Sequence, residues 1–308
     1  MTNGSPAHWV SGLELWQWRE EACVAAIAVG IPPNELDWLL QAVSDLDKLA
    51  LRLHSFKGRS QIPLTLPWAK LRQLWQQRLE EKVPVQYLVG VTPWRNFQLA
   101  VTPAVLIPRP ETEYLIELSL AAGKNPPIAV SPPLDCGLWA DLGTGSGAIA
   151  VGLAESFTRA QIHAIERSQA ALDIASRNAR NLGLGDRIAF HLGDWFKPLA
   201  PWEGQLSGIV SNPPYIPSHM VGELQPEVAQ HEPHLALDGG PDGLDCIRHI
   251  VATAPDYLRS GGVLLFEMMA GQAPAVTELL QQQGSYCQIE IFSDLAGIER
   301  FARAYRVK

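Results

Sequence analysis

Two stretches hold residue types that can do chemistry at short spacing. The first, Ser211-Asn212-Pro213-Pro214-Tyr215, follows the apolar run Leu206 to Val210. That run is short, contains β-branched residues and is bounded by polar ones, so it reads as a buried strand ending at Asn212. Two successive prolines forbid both a continued strand and an immediate helix, because each fixes φ and removes a backbone donor. The chain is held open at a strand's C-terminal end. There the Asn212 amide oxygen and the Pro213 carbonyl are two acceptors, and Tyr215 adds a flat ring beside them. Such a socket suits a planar group bearing two N–H donors. An ordinary Asn-Pro turn is the plainer alternative.

The second stretch is Asp141-Leu142-Gly143-Thr144-Gly145-Ser146-Gly147, between a predicted strand and a predicted helix. Alternate glycines let the backbone turn tightly and approach a ligand at contact distance. The loop is neither the G-x-G-x-x-G dinucleotide fingerprint nor a phosphate-cradling loop with a Gly-Lys-Ser/Thr ending. Glu166 ends the next strand, where a carboxylate can accept both hydroxyls of a ribose. Gly193-Asp194-Trp195 follows the third, where Asp194 can accept from an adenine amino group and the Trp195 ring can stack on the base. Each feature alone is equally compatible with tight packing, a solvated strand end or an N-cap. Together they read as a site for adenosine without phosphate, and S-adenosylmethionine is the cofactor that fits. Its cation would rest on an aromatic face such as Tyr215.

These stretches need elements to position them. From Leu138 onward the pattern alternates, with strands expected at 138–142, 161–166, 187–192, 206–211 and 262–268 and helices at 148–156, 169–182, 243–258 and 272–283. Alternation of this kind predicts a parallel sheet with helices on both faces. The runs Gln288 to Ser293 and Arg300 to Val307 should close an antiparallel hairpin. In such a sheet ligands bind beyond the carboxyl ends of the strands, where the winding reverses. The glycine loop and Asn212 follow the pair of strands that flanks that point, so a methyl donor and an amide socket should face each other.

Residues 1–83 read as a small helical domain with a tryptophan-rich core, on stripes such as Leu36, Leu39, Leu40, Val43 and Trp68, Leu71, Trp75. With no chemistry of its own, it is a candidate for docking a macromolecular substrate. Residues 84–108 form a β-rich connector with strands expected at Gln86 to Val91 and Phe97 to Val101. Residues 109–308 form the cofactor-binding domain, starting at a helix opened by Pro110 with Glu111 and Glu113 in its first turn. Asn125 to Pro133 reads as a connector, and the polar stretch Ile216 to Gly240 as a loop that closes over substrate.

Composition narrows the partners. The chain is 308 residues with a net charge of −8 and no Lys/Arg run, which argues against a nucleic-acid grip through phosphates. Four scattered cysteines, at 23, 136, 246 and 287, fit a reducing compartment and neither a zinc site nor a disulfide framework. His231 and His234 invite a metal, but Pro233 spoils a helical face and no third ligand is evident. The apolar stretch Ala22 to Ile31 is too short to span a bilayer. A cytoplasmic monomer is expected, with no metal and no membrane association.

The Asn-Pro-Pro-Tyr corner and the glycine loop resemble class I methyltransferases that act on planar amide or exocyclic amino nitrogens. Further segments narrow the resemblance: Val105-Leu106-Ile107-Pro108-Arg109-Pro110-Glu111-Thr112-Glu113, Asp194-Trp195-Phe196, and Glu232-Pro233 with Ala236-Leu237 look like the HemK/PrmC family of peptide chain release factor glutamine N5-methyltransferases. The likeness runs from about Pro84 to the C-terminus, and Met268-Met269-Ala270 departs from the family's usual residues. The resemblance implies a Rossmann-like class I methyltransferase sheet, S-adenosylmethionine as cofactor and the Gly-Gly-Gln glutamine of release factors as substrate. It places cofactor binding at Asp141, Gly143, Thr144, Gly145, Ser146, Gly147, Glu166, Asp194, Trp195 and Asn212. Substrate binding falls to Asn212, Pro213, Pro214 and Tyr215, with Asn212, Pro213 and Tyr215 carrying catalysis. Competing readings are an adenine N6-methyltransferase of nucleic acid, a glutamine methyltransferase of a ribosomal protein, and a non-catalytic cofactor-binding protein.

Overall fold

A computed structural model describes residues 8–124, 126 and 131–307. The connector expected over Asn125 to Pro133 falls largely on 125 and 127–130, outside the described residues. Two compact units make up the chain. One ends at Gly90, beyond the expected limit at residue 83, and takes in Pro226–His231; the other comprises Val91–Gln225 and the chain from Glu232.

The first unit contains β1 (His8–Val10), α1 (Gly12–Ala28), α2 (Asn34–Val43), α3 (Lys48–Leu53), β2 (Ile62–Leu64), α4 (Trp68–Glu80) and α5 (Val85–Val89). Ser11 and Asp47 cap α1 and α3 by accepting from the N–H groups of Glu14 and Ala50, satisfying donors that the first turn leaves free. The leucine stripe of α2 is buried with Leu15, Leu51, Leu71 and Trp75, and Trp16, Trp18, Trp38 and Trp68 pack half-buried around that core. Two differences from expectation have local causes. Gln86 to Val91 was expected as a strand, yet Val85–Val89 forms a short helix. Pro84 leads into it, and Gly90 ends it at φ +80, returning its N–H to the Gln86 carbonyl at 2.7 Å. The pair β1–β2 was not anticipated; its antiparallel register sets Val10 against Ile62 and buries both.

The second unit contains β3 (Val91–Trp94), β4 (Phe97–Ala100), α6 (Tyr114–Lys124), β5 (Leu138–Leu142), α7 (Ala148–Ser156), β6 (Gln161–Glu166), α8 (Gln169–Asn181), β7 (Ile188–Leu192), β8 (Leu206–Ser211), α9 (Ser218–Val221), α11 (Asp245–Tyr257), β9 (Leu258–Glu267), α12 (Ala273–Gln283), β10 (Tyr286–Ser293) and β11 (Glu299–Arg306); the short α10 (Pro226–Ala229) lies in the first unit. The hairpin β3–β4 is not a free connector, because Trp94, Phe97 and Leu99 join the main core. Seven strands form one sheet in the order β10-β11-β9-β8-β5-β6-β7, with β11 antiparallel to both neighbours. One face packs on α6, α7 and α8 through Leu115, Leu153 and Ala179, and the other on α11 and α12 through Ile247, Ile250 and Leu280. Strand β5 lies between β6 and β8, and Leu142 is in register with Ser211. The winding reverses there, so the glycine loop and Asn212 leave adjacent strands at one level. Among the described residues no helix is long and apolar enough to cross a membrane.

Candidate active site

The glycine loop is pinned from three sides. Asp141, fully buried in β5, accepts from the Thr144 hydroxyl (2.5 Å) and the Ala150 N–H (3.0 Å). The N–H groups of Gly143 and Thr144 both donate to the Ile165 carbonyl of β6 (2.9 and 3.0 Å). Asn178 of α8 donates to the Ser146 carbonyl (2.8 Å) and exchanges two bonds with the Ala100 backbone. Gly143 and Gly145 have positive φ, and a Cβ on either would meet nothing nearer than 4.0 Å, leaving open space on that side for a ligand. Gly147 is glycine for a second reason, since a Cβ there would come within 3.1 Å of Ala175 in α8.

Glu166 is held in place by backbone. Its two oxygens accept from Gly145 N–H and Ser168 N–H, both at 3.0 Å, and a carboxylate with one donor per oxygen keeps lone pairs for further donors. Gly193 donates to the Glu166 carbonyl at 2.9 Å, and Trp195 then takes a left-handed φ of 51. Asp194 is paired with Lys197 at 3.3 Å.

At the end of β8 the Ser211 hydroxyl donates to the Leu142 carbonyl at 2.8 Å, tying the corner to β5. Asn212 Nδ2 donates to Thr112 Oγ1 (3.2 Å), whose hydroxyl donates to Glu267 Oε2 (2.7 Å), and the Tyr215 hydroxyl donates to Glu267 Oε1 (3.0 Å). Gln272 donates to the Tyr215 carbonyl at 3.0 Å. A Cβ on Gly239 or Gly243 would strike the Pro214 or Tyr215 carbonyl at 2.8 or 2.3 Å, so only glycine lets that segment pack against the corner. Among the described residues neither Asn212 Oδ1 nor the Pro213 carbonyl accepts a hydrogen bond.

One cavity of about 250 Å³ joins the two halves. Gly143, Thr144, Gly145, Ser146, Glu166, Asp194, Trp195, Asn212 and Pro214 line it. Asp141, Gly147, Pro213 and Tyr215 are not part of the lining. The Tyr215 ring packs instead on the apolar cluster beneath α11 and α12, and burial beside the Glu267 carboxylate pushes its hydroxyl well above the usual range. Among the described residues Trp195 is the aromatic residue that lines the cavity, and Tyr215, where the cation contact is expected, lies outside the lining. At the base of the stretch Ile216 to Gly240, Ile216 N–H donates to the Leu237 carbonyl (3.0 Å) and the Ile216 carbonyl accepts from Gly239 N–H (2.8 Å), and Leu235, Ala236 and Asp238 complete the wall. His231 donates to the Glu81 carbonyl (2.7 Å), while Glu232 takes Arg109 (2.7 Å).

Residues 139–291 match the model of a methyltransferase domain family. The release factor glutamine methyltransferase of Synechocystis sp. is 51% identical over 96% of this chain and 97% of its own length. The chain belongs to the release factor glutamine methyltransferase family. The relative of that name from Thermosynechococcus vestitus is 46% identical over 96% of each chain. In three dimensions the chain is similar to the hMettl16 catalytic domain solved in complex with the MAT2A 3'UTR hairpin 6 (TM-score 0.51, 12% identity, covering 87% of this chain and 91% of that one). That likeness shows the fold, the α/β class I methyltransferase sheet.

The walls fit the cofactor of a methyltransferase family. Three acidic residues, Glu166, Asp194 and Asp238, and one arginine, Arg167, line the cavity around a glycine loop with open space on one side. This excess of acceptors and negative charge favours hydroxyls, an amino group and a cation over phosphates. Thr112, Asn178, Glu267 and Gln272 have roles in the site that sequence reasoning did not assign. Thr112 lay within a family-like segment and Glu267 at a predicted strand end, but nothing in one sequence pairs them.

Asp141 carries a pH signature. Burial raises its carboxyl to about 7, with Glu166 adding to the rise and its two hydrogen bonds opposing it. A carboxyl raised on folding contributes stability below its unfolded value, lost as pH climbs through the folded one. Asp141→Asn cannot ionise and escapes that loss. Its stability relative to the parent is thus expected to improve between about pH 4 and 7. Thermal melts across that range check this, and a constant gap rejects it.

Proposed function

We propose that this family member transfers a methyl group from S-adenosylmethionine to the side-chain amide nitrogen (N5) of the glutamine in the Gly-Gly-Gln motif of peptide chain release factors, as a cytoplasmic monomer. The observation that carries the reading is that the pinned glycine loop and Asn212 line one cavity. When bound, S-adenosylmethionine supplies an electrophilic methyl on a sulfonium. Gly143 to Gly147 hold its amino-acid end, Glu166 its ribose hydroxyls, and Asp194 with Trp195 its base.

An amide nitrogen is a poor nucleophile because its lone pair is delocalised. Asn212 Oδ1 and the Pro213 carbonyl each accept one N–H of the glutamine, which aims the nitrogen lone pair at the methyl carbon. Positioning of this kind supplies several kcal/mol of barrier reduction, and two acceptors placed where positive charge develops add electrostatic stabilisation. With the cofactor held there, its methyl would pass to the nitrogen so aligned as the C–S bond gives way, and the amide proton would leave to water without a general base among these residues. Tyr215 fixes the corner from behind. The helical unit docks the release factor, a role supported by its exposed Trp9, Val24, Ile27, Leu49 and Leu53.

Mass spectrometry of a release factor incubated with the protein and S-adenosylmethionine tests this. The expected product gains one methyl on the Gly-Gly-Gln glutamine. Methylation elsewhere, or only of nucleic acid, rejects it.

A further inference from the structure

We infer that Thr112 and Glu267 are positioning residues that decide which end of the Asn212 amide faces the substrate. The inference deepens the proposed glutamine chemistry and rests on it. The two ends of an asparagine amide are alike in shape but opposite in role, one accepting and the other donating. Only the oxygen can receive an N–H from a substrate amide, so an Asn212 turned the wrong way would set donor against donor.

The orientation follows from a chain of single protons. Ionised Glu267 can only accept, and it accepts from Tyr215 on one oxygen and from Thr112 on the other. The one proton of the Thr112 hydroxyl is thereby spent. What Thr112 Oγ1 offers Asn212, 3.2 Å away, is a lone pair, and the group that answers it is Nδ2–H₂. Oδ1 is left for the cavity that Asn212 lines. Thr112 and Glu267 are 3% and 2% exposed, so water does not compete for these bonds.

The relay fails when Glu267 gains a proton or becomes glutamine. It can then donate to Thr112, which frees the threonine proton to point at Asn212 and turns the amide over. The groups that face Glu267 are Arg300 from β11, Glu111 from the turn before α6, and Tyr215 and Thr112. Burial dominates among these influences and lifts the Glu267 carboxyl above its ordinary range, so activity should carry an acid limb.

Three variants and two readouts test the relay. The first readout needs no turnover: a nuclear Overhauser contact from the Asn212 side-chain NH₂ to the Thr112 side chain is expected in the parent and in Thr112→Ser, and lost in Glu267→Gln. In the second, methyl transfer to a release factor, Thr112→Val and Glu267→Gln lower kcat about 10- to 100-fold, the usual cost of losing a residue that orients a functional one. Cofactor Kd, which also reports folding, stays within about threefold, and Thr112→Ser keeps kcat within about threefold of the parent. Glu267→Gln also flattens the acid limb, which loss of packing alone would leave in place. Parental kcat in Thr112→Val, a Thr112→Ser as slow as the valine variant, or an unchanged acid limb in Glu267→Gln overturns the relay. Should the parent not methylate a release factor, the functional reading falls instead, and the contact from Asn212 to Thr112 alone decides the relay.

Discussion

Asn212→Ala is expected to lower kcat about 10²- to 10³-fold, the range seen when one preorganised group that stabilises a transition state is removed. The alanine deletes the oxygen proposed to take one substrate N–H and leaves the Pro213 carbonyl as the remaining proposed acceptor. Cofactor affinity should change little, because the loop at 143–147 keeps its bonds to Asp141, Ile165 and Glu166, none of which passes through residue 212. The corner itself should survive, since Gln272 and Glu267 hold Tyr215 independently. Single-turnover methyl transfer and equilibrium cofactor binding measured on one preparation separate the two effects. Near-parental turnover would reject the amide socket, whereas a matching collapse of cofactor affinity would reassign Asn212 to the cofactor.

The largest stability effect is expected at Arg78. The residue is 4% exposed, and its guanidinium meets Glu35 in a two-bond fork (2.6 and 3.1 Å) and Glu227 through its third nitrogen (2.8 Å). Removing it leaves two poorly hydrated carboxylates without their cation, and breaking a buried pair from one side costs about 3–5 kcal/mol. Arg78→Ala should therefore lower the unfolding free energy of the helical unit by that amount, read from urea titration. Lysine should not rescue it, because one ammonium cannot reproduce the fork. Arg78→Met combined with Glu35→Leu and Glu227→Gln should recover most of the loss, by removing the stranded charges as well. A single-variant loss below about 1 kcal/mol would place the triad with ordinary surface ion pairs.

Much of the second unit is legible in the sequence because its signals are local. Strands 138–142, 161–166 and 206–211 are found as expected. Each is an apolar run ended by a glycine loop, a carboxylate or a double proline, so pattern and punctuation agree. Strand β9 begins earlier than expected, at Leu258 instead of 262, since Gly261 and Gly262 read as a break but continue the strand through an irregularity in register with β8. Val85–Val89 misleads for the opposite reason: β-branched residues favour a strand locally, while flanking proline and glycine close a helical turn. In the site, the loop and the corner announce themselves because each is contiguous. The link from Asn212 through Thr112 to Glu267 spans separations of 100 and 155 residues, and no spacing rule reaches that far.

The place of β11 in the sheet has a consequence for assembly. Strand β10 touches the sheet only through β11, and β11 is what covers the open edge of β9. The loop from β10 to β11 is short, so these two can pair with each other long before either meets the rest, although a lone two-stranded ribbon is marginally stable in water. Until it arrives, β9 presents unpaired backbone along a run buried from Gly261 to Glu267 in the finished protein, the kind of sticky margin that templates self-association. Attaching this ribbon is thus a sealing step, and lesions in β11 should be seen first as poor recovery of soluble protein, ahead of any defect in methyl transfer.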